Sequence, residues 1–407
     1  MTHFAHSSLA AALLGAGTLA IAGCSGSRGA GERASTELVT ISALQMAPIQ
    51  ETIQPARLAA FIGYYAPSPN TPDHELSWMR TQTGPLRQIE STIRRHGAAV
   101  RRDWIDGGRS NAEFIHLTTG ITVLEVRDAS GQLLMYSMRA PALGTSRSVT
   151  LAVRPTGVDL ERLGQPCEKQ DVYSGEHFRR VACITWDGIS LSEHTEDAEG
   201  EIWSTSTASA TRLTRRAVPL HLMLPAEFDH GAWLGDPSAD DGKNYTVLLE
   251  AEEGETKYLI RRRQGWTAEE ARNRDGSASI WAVNRVLGRS VAAQLGPGAR
   301  PEALTYDLRA STSPNSERVE KLDRPIEMVL GLGCSWYDVM PNTHDFGRIE
   351  CRTSDGMPLR IQTLWRGRIR IDAIATRFDR QQSSVADVLP PQAWTSPQAW
   401  GVPSSER

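Results

Sequence analysis

At 407 residues, 40% of them hydrophobic and 23% charged, the chain is long enough for two or three domains and for a substantial buried core. Its 44 basic and 48 acidic side chains leave a formal net charge of −4. Apart from Arg261-Arg262-Arg263 they are interleaved, so no basic block recommends a nucleic-acid partner.

The first 24 residues stand apart. From Ser7 to Gly23 there is no charge, and Leu9 to Ala22 is Leu, Ala, Gly and Ile with a single Thr. That run is too short for a permanent membrane-spanning helix and has the length of a signal-peptide core. It ends Leu19-Ala20-Ile21-Ala22-Gly23-Cys24. This resembles the lipobox of bacterial lipoproteins: an aliphatic residue, two small residues, then an invariant cysteine. The resemblance implies that Cys24 becomes the N-terminus and carries fatty acyl chains, which together anchor a protein stably where one chain is marginal. The segment Met1 to Ser8 departs from the pattern, holding His3 and His6 but neither Lys nor Arg. Ser25 after the cysteine, in place of Asp, implies sorting to the periplasmic face of the outer membrane. Residues 1–23 are thus read as leader, and the Gly- and Ser-rich stretch 24–37 as a flexible tether.

Leu38 to Gln54 gives mixed strand and helix signals, and a turn-rich loop surrounds Pro67 to Pro72. Pro85 to His96 reads as a helix: an early Pro, apolar Leu86, Ile89 and Ile93 at spacings of three and four, and Gly97 as the stop. Strand signals follow. Ile121–Val126 and Leu133–Met138 flank the turn Asp128 to Gly131, and Ser148–Val153 precedes Pro155. Val181–Thr185 and Ile189–Leu191 form a hairpin around Asp187-Gly188, with a further strand at Glu201–Thr205. Leu213 to Pro225 reads as a crossing between modules. Tyr245–Leu249 and Lys257–Ile260 form another hairpin around Glu253-Gly254. Thr267-Ala-Glu-Glu270 has the pattern of a capping box for a short helix. Ile280 to Leu295 mixes helical spacing with strand composition. Arg348–Thr353, Leu359–Leu364 and Ile369–Ile374 are strands. From Ser383 the chain turns Pro- and Ser-rich, and it repeats Pro391-Gln-Ala-Trp394 as Pro397-Gln-Ala-Trp400.

One stretch occurs twice. Gly164, Cys167, Asp171-Val172, His177, Phe178, Arg180, Cys183, Thr185, Asp187-Gly188 and Leu191 recur in order as Gly331, Cys334, Asp338-Val339, His344, Phe346, Arg348, Cys351, Thr353, Asp355-Gly356 and Leu359. Both copies run on to Ala210-Thr211-Arg212 and Ala375-Thr376-Arg377. This is an internal duplication. A weaker echo between Arg101-Arg102-Asp103-Trp104 and Arg262 to Trp266 places the start of the repeated unit near residues 95 and 257.

Of five cysteines, the four besides Cys24 lie in the duplicated stretch. In an oxidising compartment they read as the disulfides Cys167–Cys183 and Cys334–Cys351, the pairing a module needs to fold alone before it is doubled. Each is worth on the order of 3 kcal/mol by the chain-entropy argument. Zinc ligation by Cys167, His177 and Cys183, or by Cys334, His344 and Cys351, ranks below this, because the separations exceed the tight clip of zinc sites. His177 and His344 are read as loop residues that hydrogen-bond Asp171 and Asp338.

The fold expected is α+β and β-dominated: two tandem homologous antiparallel β-meander modules, curved sheets or half-barrels, with a few helices and one disulfide each. Module one spans 38–225 with an N-terminal helical extension, module two 226–382, and the Pro/Ser/Trp tail 383–407. The anchor, the Asp-Gly hairpin after a cysteine and the meander distantly resemble periplasmic lipoprotein-carrier and lipid-binding half-barrels. No nucleophile elbow, zinc-protease, phosphate-loop or Ser-x-x-Lys motif is present, and Asp236 to Gly242 departs from a calcium loop. No catalytic residue, metal or cofactor is therefore assigned. The expected role is binding or scaffolding at the cell envelope, with an envelope protein, glycan or lipid as ligand. The alternatives are a hydrolase of an envelope polymer with its site between the modules, and a carrier of an apolar ligand.

Overall fold

The computed structural model describes residues 38–39, 71–82, 87–117, 121–140, 151–174, 178–197, 206–224, 228–235, 243–251, 256–297, 300–308, 319–341, 346–380, 385, 388–390, 392–396 and 400. The leader, Cys24, the tether, the loop at Pro67, the strand expected at Glu201–Thr205 and the Asp236 loop lie outside the described residues.

Among the described residues 24 strands pair into one open, curved antiparallel sheet. The first half contributes β1 (Leu38–Val39), β2 (His74–Gln82), β3 (Arg87–His96), β4 (Ala99–Asp106), β5 (Arg109–His116) and β6 (Thr122–Arg127). There follow β7 (Leu133–Arg139), β8 (Leu151–Arg162), β9 (Gln165–Ser174), β10 (Phe178–Thr185), β11 (Ser190–Asp197) and β12 (Ser206–Arg215). The second half supplies β13 (Tyr245–Ala251), β14 (Thr256–Arg263), β15 (Trp266–Asn273), β16 (Ala278–Asn284), β17 (Arg289–Gly296) and β18 (Arg300–Asp307). It ends with β19 (Glu320–Lys321), β20 (Glu327–Val329), β21 (Leu332–Asp338), β22 (Phe346–Arg352), β23 (Pro358–Trp365) and β24 (Arg368–Asp379).

Each half is a meander that returns on itself. β12 pairs with β2, and β24 pairs with β13. Register repeats along with order: Leu76 faces Ile93 in the first half as Val247 faces Ile260 in the second. The irregularities repeat as well. A bulge follows Cys183 and another follows Cys351, and the ladder slips at Thr211 in β12 and at Thr376 in β24. Bulges sharpen the local twist, so their repetition gives both halves the same curl.

The halves meet edge to edge. β7 and β18 are equivalent strands and pair with each other, Tyr136 opposite Tyr306 and Met138 opposite Leu304. Between these pairs the Ser137 and Thr305 hydroxyls lie 2.9 Å apart in a hydrogen bond. A pseudo-two-fold axis passes through that contact.

Among the described residues three apolar clusters form the core. One in the first half joins Leu76, Trp78, Ile93 and Leu191 to Cys167 and Cys183, and its counterpart joins Val247, Leu249, Ile260 and Leu359 to Cys334 and Cys351. The third straddles the axis, with Phe114, Tyr136 and Met138 from one side and Trp266, Leu304 and Tyr306 from the other. Segments outside the repeat cover it. Val218, Met223, Phe228 and Trp233 come from the connection between the halves, which contains the short helix α1 (His230–Leu234). That helix is capped by Asp229, whose Oδ1 accepts the Ala232 N–H at 2.8 Å. Val388, Leu389, Trp394 and Trp400 come from the tail. The Tyr136 hydroxyl donates to the Thr395 carbonyl at 3.1 Å, and Trp400 Nε1 to the Trp394 carbonyl at 2.7 Å. Trp394, Thr395 and Trp400 of the tail therefore pack onto the protein's own sheet.

Three sequence expectations are corrected. Arg87–His96, expected as a helix, is strand β3, and its inward positions alternate Ile89, Ser91, Ile93 and Arg95, two of them polar. The three-and-four spacing of its apolar residues is a coincidence of that mixture. Thr267–Glu270 is not a capped helix but part of β15, where Trp266, Ala268 and Glu270 are buried on alternate positions. The repeated unit begins at β2 and β13, since those strands open equivalent meanders, and not near residues 95 and 257. The ambiguous stretch Ile280 to Leu295 belongs to a hairpin of β16 and β17.

The two central tyrosines differ in one respect that mutation can read. Among the described residues the buried Tyr306 hydroxyl meets no hydrogen-bond partner, while that of Tyr136 holds the tail. Tyr306→Phe is expected to leave stability unchanged or slightly higher, and Tyr136→Phe to lower it by about 1 kcal/mol, by urea denaturation monitored through tryptophan fluorescence.

Candidate functional site

The residues most alike between the two copies build a turn and its clamp. Thr185 accepts the Ile189 N–H at 2.9 Å on its hydroxyl, and that hydroxyl donates to Asp187 Oδ1 at 2.5 Å, closing the hairpin from inside. Arg215 at the end of β12 grips Asp187 through Nε at 2.9 Å and a second nitrogen at 3.2 Å. Burial opposes ionisation of Asp187, but Arg215 and Thr185 outweigh it and hold the carboxyl below its ordinary range. In the second copy Met357 N–H donates to the Thr353 hydroxyl at 3.1 Å, Thr353 donates to Asp355, and Arg380 lies 3.2 Å from Asp355. The disulfides stand beside these turns, Cys167–Cys183 and Cys334–Cys351, with Cα separations of 5.4 and 5.2 Å. The two arginines were missed in sequence, yet Ala-Thr-Arg-Leu-Thr-Arg215 and Ala-Thr-Arg-Phe-Asp-Arg380 put them at the same spacing in both copies.

Asp171 sits mid-strand in β9, opposite Val181 and Arg154. Asp338 ends β21, and its Oδ1 accepts the Met340 N–H at 2.9 Å. Their expected partners His177 and His344 lie outside the described residues. Among the described residues no group of three His, Cys, Asp or Glu is placed to hold a metal ion.

The strongest candidate for ligand binding is a groove of about 590 Å³ in the second half, walled by β14, β15, β16, β22 and the residues Val339 and Met340 that follow β21. Along β22 Arg348, Glu350 and Arg352 alternate with Ile349 and Cys351, so the three charged groups share a face. Arg348 grips Glu269 of β15 with two nitrogens at 2.8 and 2.6 Å, and its Nε donates to Glu350 at 2.6 Å. Arg352 Nε donates to the other Glu350 oxygen at 2.7 Å. Burial works against the charge on Arg348, but Glu269 and Glu350 more than offset it and hold the guanidinium firmly protonated. Burial likewise opposes ionisation of Glu350, and Arg348 and Arg352 overcome it and keep its carboxyl below the ordinary range. Arg262 and Arg285 also line the groove. Above this floor stand Trp281, Val286, Val319 and Met340, exposed apolar side chains on the lining of one concavity. A wider concavity of about 800 Å³ lies in the first half, lined by Arg101, Asp103, Trp104 and Ile105 among others.

The tryptophans divide by role. Trp78, Trp266 and Trp336 are buried, Trp281 edges the groove, and Trp186 stands 88% exposed at the tip of the Asp187 turn. A cleft lined with tryptophan in a curved sheet is one reading of the eleven tryptophans, Trp281 among them, but the place of the groove was not anticipated. A further sequence signal was the alternation Arg348-Ile-Glu350-Cys-Arg352, a charged stripe of period two.

No family model matches the chain, and no curated protein matches it. Among solved structures it is similar to PNGF-II at 11% identity and a TM-score of 0.27, over 52% of this chain and 42% of that one. The chain thus spans under half the length of PNGF-II. It is similar to MucB in complex with MucA(peri) at 13% identity and a TM-score of 0.24, over 62% of this chain and 90% of that one. The Pseudomonas aeruginosa MucA/MucB complex gives 11% identity and a TM-score of 0.25, over 58% and 88%. Likenesses this weak carry no functional argument.

Because the Glu350 pKa is depressed in the folded protein, its pairing stabilises the fold above the unfolded-state value, about 4.3, and that contribution is lost as pH falls through the folded value. Glu350→Gln is expected to cost about 2 kcal/mol at neutral pH, since Arg348 keeps Glu269. It should also flatten the decline of stability in acid, measured as urea midpoints from pH 7 downward.

Proposed function

We propose that the protein is an extracytoplasmic, envelope-anchored lipoprotein with a binding role, held to a membrane through acylated Cys24 and taking its ligand in the groove of the second half. The two disulfides support the compartment, since such bonds persist where thiols are oxidised. The leader ending in Cys24 supports the anchor. Among the described residues no helix is long and apolar enough to cross a membrane.

The observation that carries the binding role is the groove: a floor of mutually paired charges beneath an apolar rim. A carboxylate tied to two arginines and held below its usual range, as that of Glu350 is, is a poor proton carrier at neutral pH, where a general base works best with a pKa near that pH. A rigid charged floor is instead suited to fixing the orientation of a ligand. It also penalises a bare acyl chain, because the charges would lose water without gaining a partner. The ligand favoured is therefore amphipathic, such as a peptide segment or a glycan with an apolar face, in place of the free lipid of a carrier.

Two measurements test this. The intact mass of protein from its host's membrane fraction should exceed that of the chain from Cys24 by the mass of its acyl chains, and Cys24→Ala should abolish the increment; an unmodified wild-type mass removes the anchor. In native mass spectrometry of acyl-free protein, a co-purifying species should be present in wild type and lost in Trp281→Ala/Met340→Ala. Retention of that species by the variant would remove the groove as the binding site.

A further inference from the structure

The groove of the second half runs against the charge of the chain. Its described lining holds four arginines, Arg262, Arg285, Arg348 and Arg352, against two carboxylates, Glu269 and Glu350, while the chain as a whole is formally −4. Concave walls of low dielectric focus such an excess, so the groove attracts anions. The arginines are not equally committed. Arg348 gives all three guanidinium nitrogens to Glu269 and Glu350. Arg352 gives Nε to Glu350, and among the described residues its two terminal nitrogens meet no acceptor, the side chain being 29% exposed. Glu350 thus orients the guanidinium and leaves its outer edge to the groove, a fork that matches a carboxylate or a phosphate.

The Tyr245 hydroxyl brings a second arginine to the same place. Burial raises its pKa, while Arg262, which also donates a hydrogen bond to it, and Arg352 pull the other way. Both guanidinium groups therefore act at one spot in the groove. The apolar zone lies beside it. Trp281 stands opposite Glu269 in the ladder, Glu269 binds Arg348, and the Arg348 carbonyl accepts the Val339 N–H at 2.9 Å. Trp281 and Val339 thus flank the Arg348–Glu269 pair. Ile260 is the other ladder partner of Glu269, and Arg262 lies two residues further along β14, about 7 Å away. That is the step after which an extended chain returns a side chain to the same face.

We propose that the groove takes an extended acidic peptide, which seats an Asp or Glu carboxylate on the outer edge of Arg352 beside Arg262. An apolar side chain two residues away then packs against Trp281 and Met340. This rests on the groove being the ligand site, as proposed above, and adds the charge and the spacing of the ligand. A peptide also suits the floor between the two contacts. Each oxygen of Glu269 and Glu350 accepts one arginine nitrogen and keeps a lone pair for a peptide N–H. An acyl chain crossing that floor would desolvate the same charges and return no hydrogen bond.

The test is calorimetric titration of acyl-free protein with two end-blocked peptides. One is Thr-Leu-Thr-Glu-Thr-Leu-Thr, which places Leu two residues from Glu in both chain directions. The other has Gln in place of its Glu. Wild type is expected to bind the Glu peptide about tenfold more tightly, the worth of one hydrogen-bonded charge contact. That preference should shrink as sodium chloride is raised. Arg352→Gln should bind both peptides alike, at the wild-type affinity for the Gln peptide, which also reports that its groove is intact. Trp281→Ala should weaken both peptides equally. Wild type that binds the Glu peptide no better than the Gln peptide overturns the proposal, and so does a preference that survives in Arg352→Gln. Dihexanoylphosphatidylglycerol that binds where the Glu peptide does not would also overturn it and give the Arg352 edge to a lipid headgroup. The native mass measurement stays separate: a species lost from Trp281→Ala/Met340→Ala keeps the groove as the binding site even where the charge preference fails.

Discussion

The structure depends on the pairing of β7 with β18. A meander of this kind leaves strand edges with unpaired peptide groups, an invitation to aggregate. When the unit is doubled, each copy's β7-type edge is covered by the other's, and antiparallel pairing lets one surface complement itself, as at a two-fold dimer interface. The Ser137–Thr305 hydrogen bond marks the axis of that self-complementarity. The outcome is a single sheet whose central cluster belongs equally to both halves. Symmetry leaves that cluster uncovered on one face, because no element of the repeat is free to cover it. Single-copy segments do so, α1 with its flanks and the tryptophan-bearing tail.

What the copies share and where they differ then separate into structure and ligand surface. Cys, Thr, Asp, Gly and the clamping arginines stay alike because curl, turn and crosslink need them. The face that forms the groove floor has diverged. Arg348 keeps its counterpart Arg180, but Glu350 stands where the first half has Ala182, and the ladder registers put Glu269 where it has Arg102. Arg102 is buried, and burial pulls its pKa down to about 10 against the attraction of Glu113. A reversal of charge at one framework position lets the second half assemble its paired Arg–Glu floor.

Local features were legible in the sequence and closure was not. The Asp-Gly hairpins and both disulfides could be read because each is decided within about twenty residues by turn chemistry and by the duplication. The strands misread as helices place Ser91, Arg95 and Glu270 inward, so alternation in hydrophobicity is erased where the interior is polar. The groove joins Glu269, Trp281 and Glu350 from strands far apart in the chain, and their meeting depends on how tightly the sheet curls. The charged stripe on β22 and the strand tryptophans carried a trace of it.

The turns Leu163-Gly164, between β8 and β9, and Leu330-Gly331, between β20 and β21, have positive φ at both residues and fit this division of labour. A hairpin turn usually sets the register of its strands, which is why its residues are constrained. Here β9 and β21 are fixed from their other sides, each by a ladder to the next strand and by a disulfide that begins three residues after the glycine of the turn. The register does not rest on the turn, so the turn can hold a residue that is poor for folding. Strain of this kind persists only where the surroundings over-determine the backbone. The sulfur bridges retained in both copies thus do more than staple each half: they help fix the register of β9 and β21 without relying on the turn.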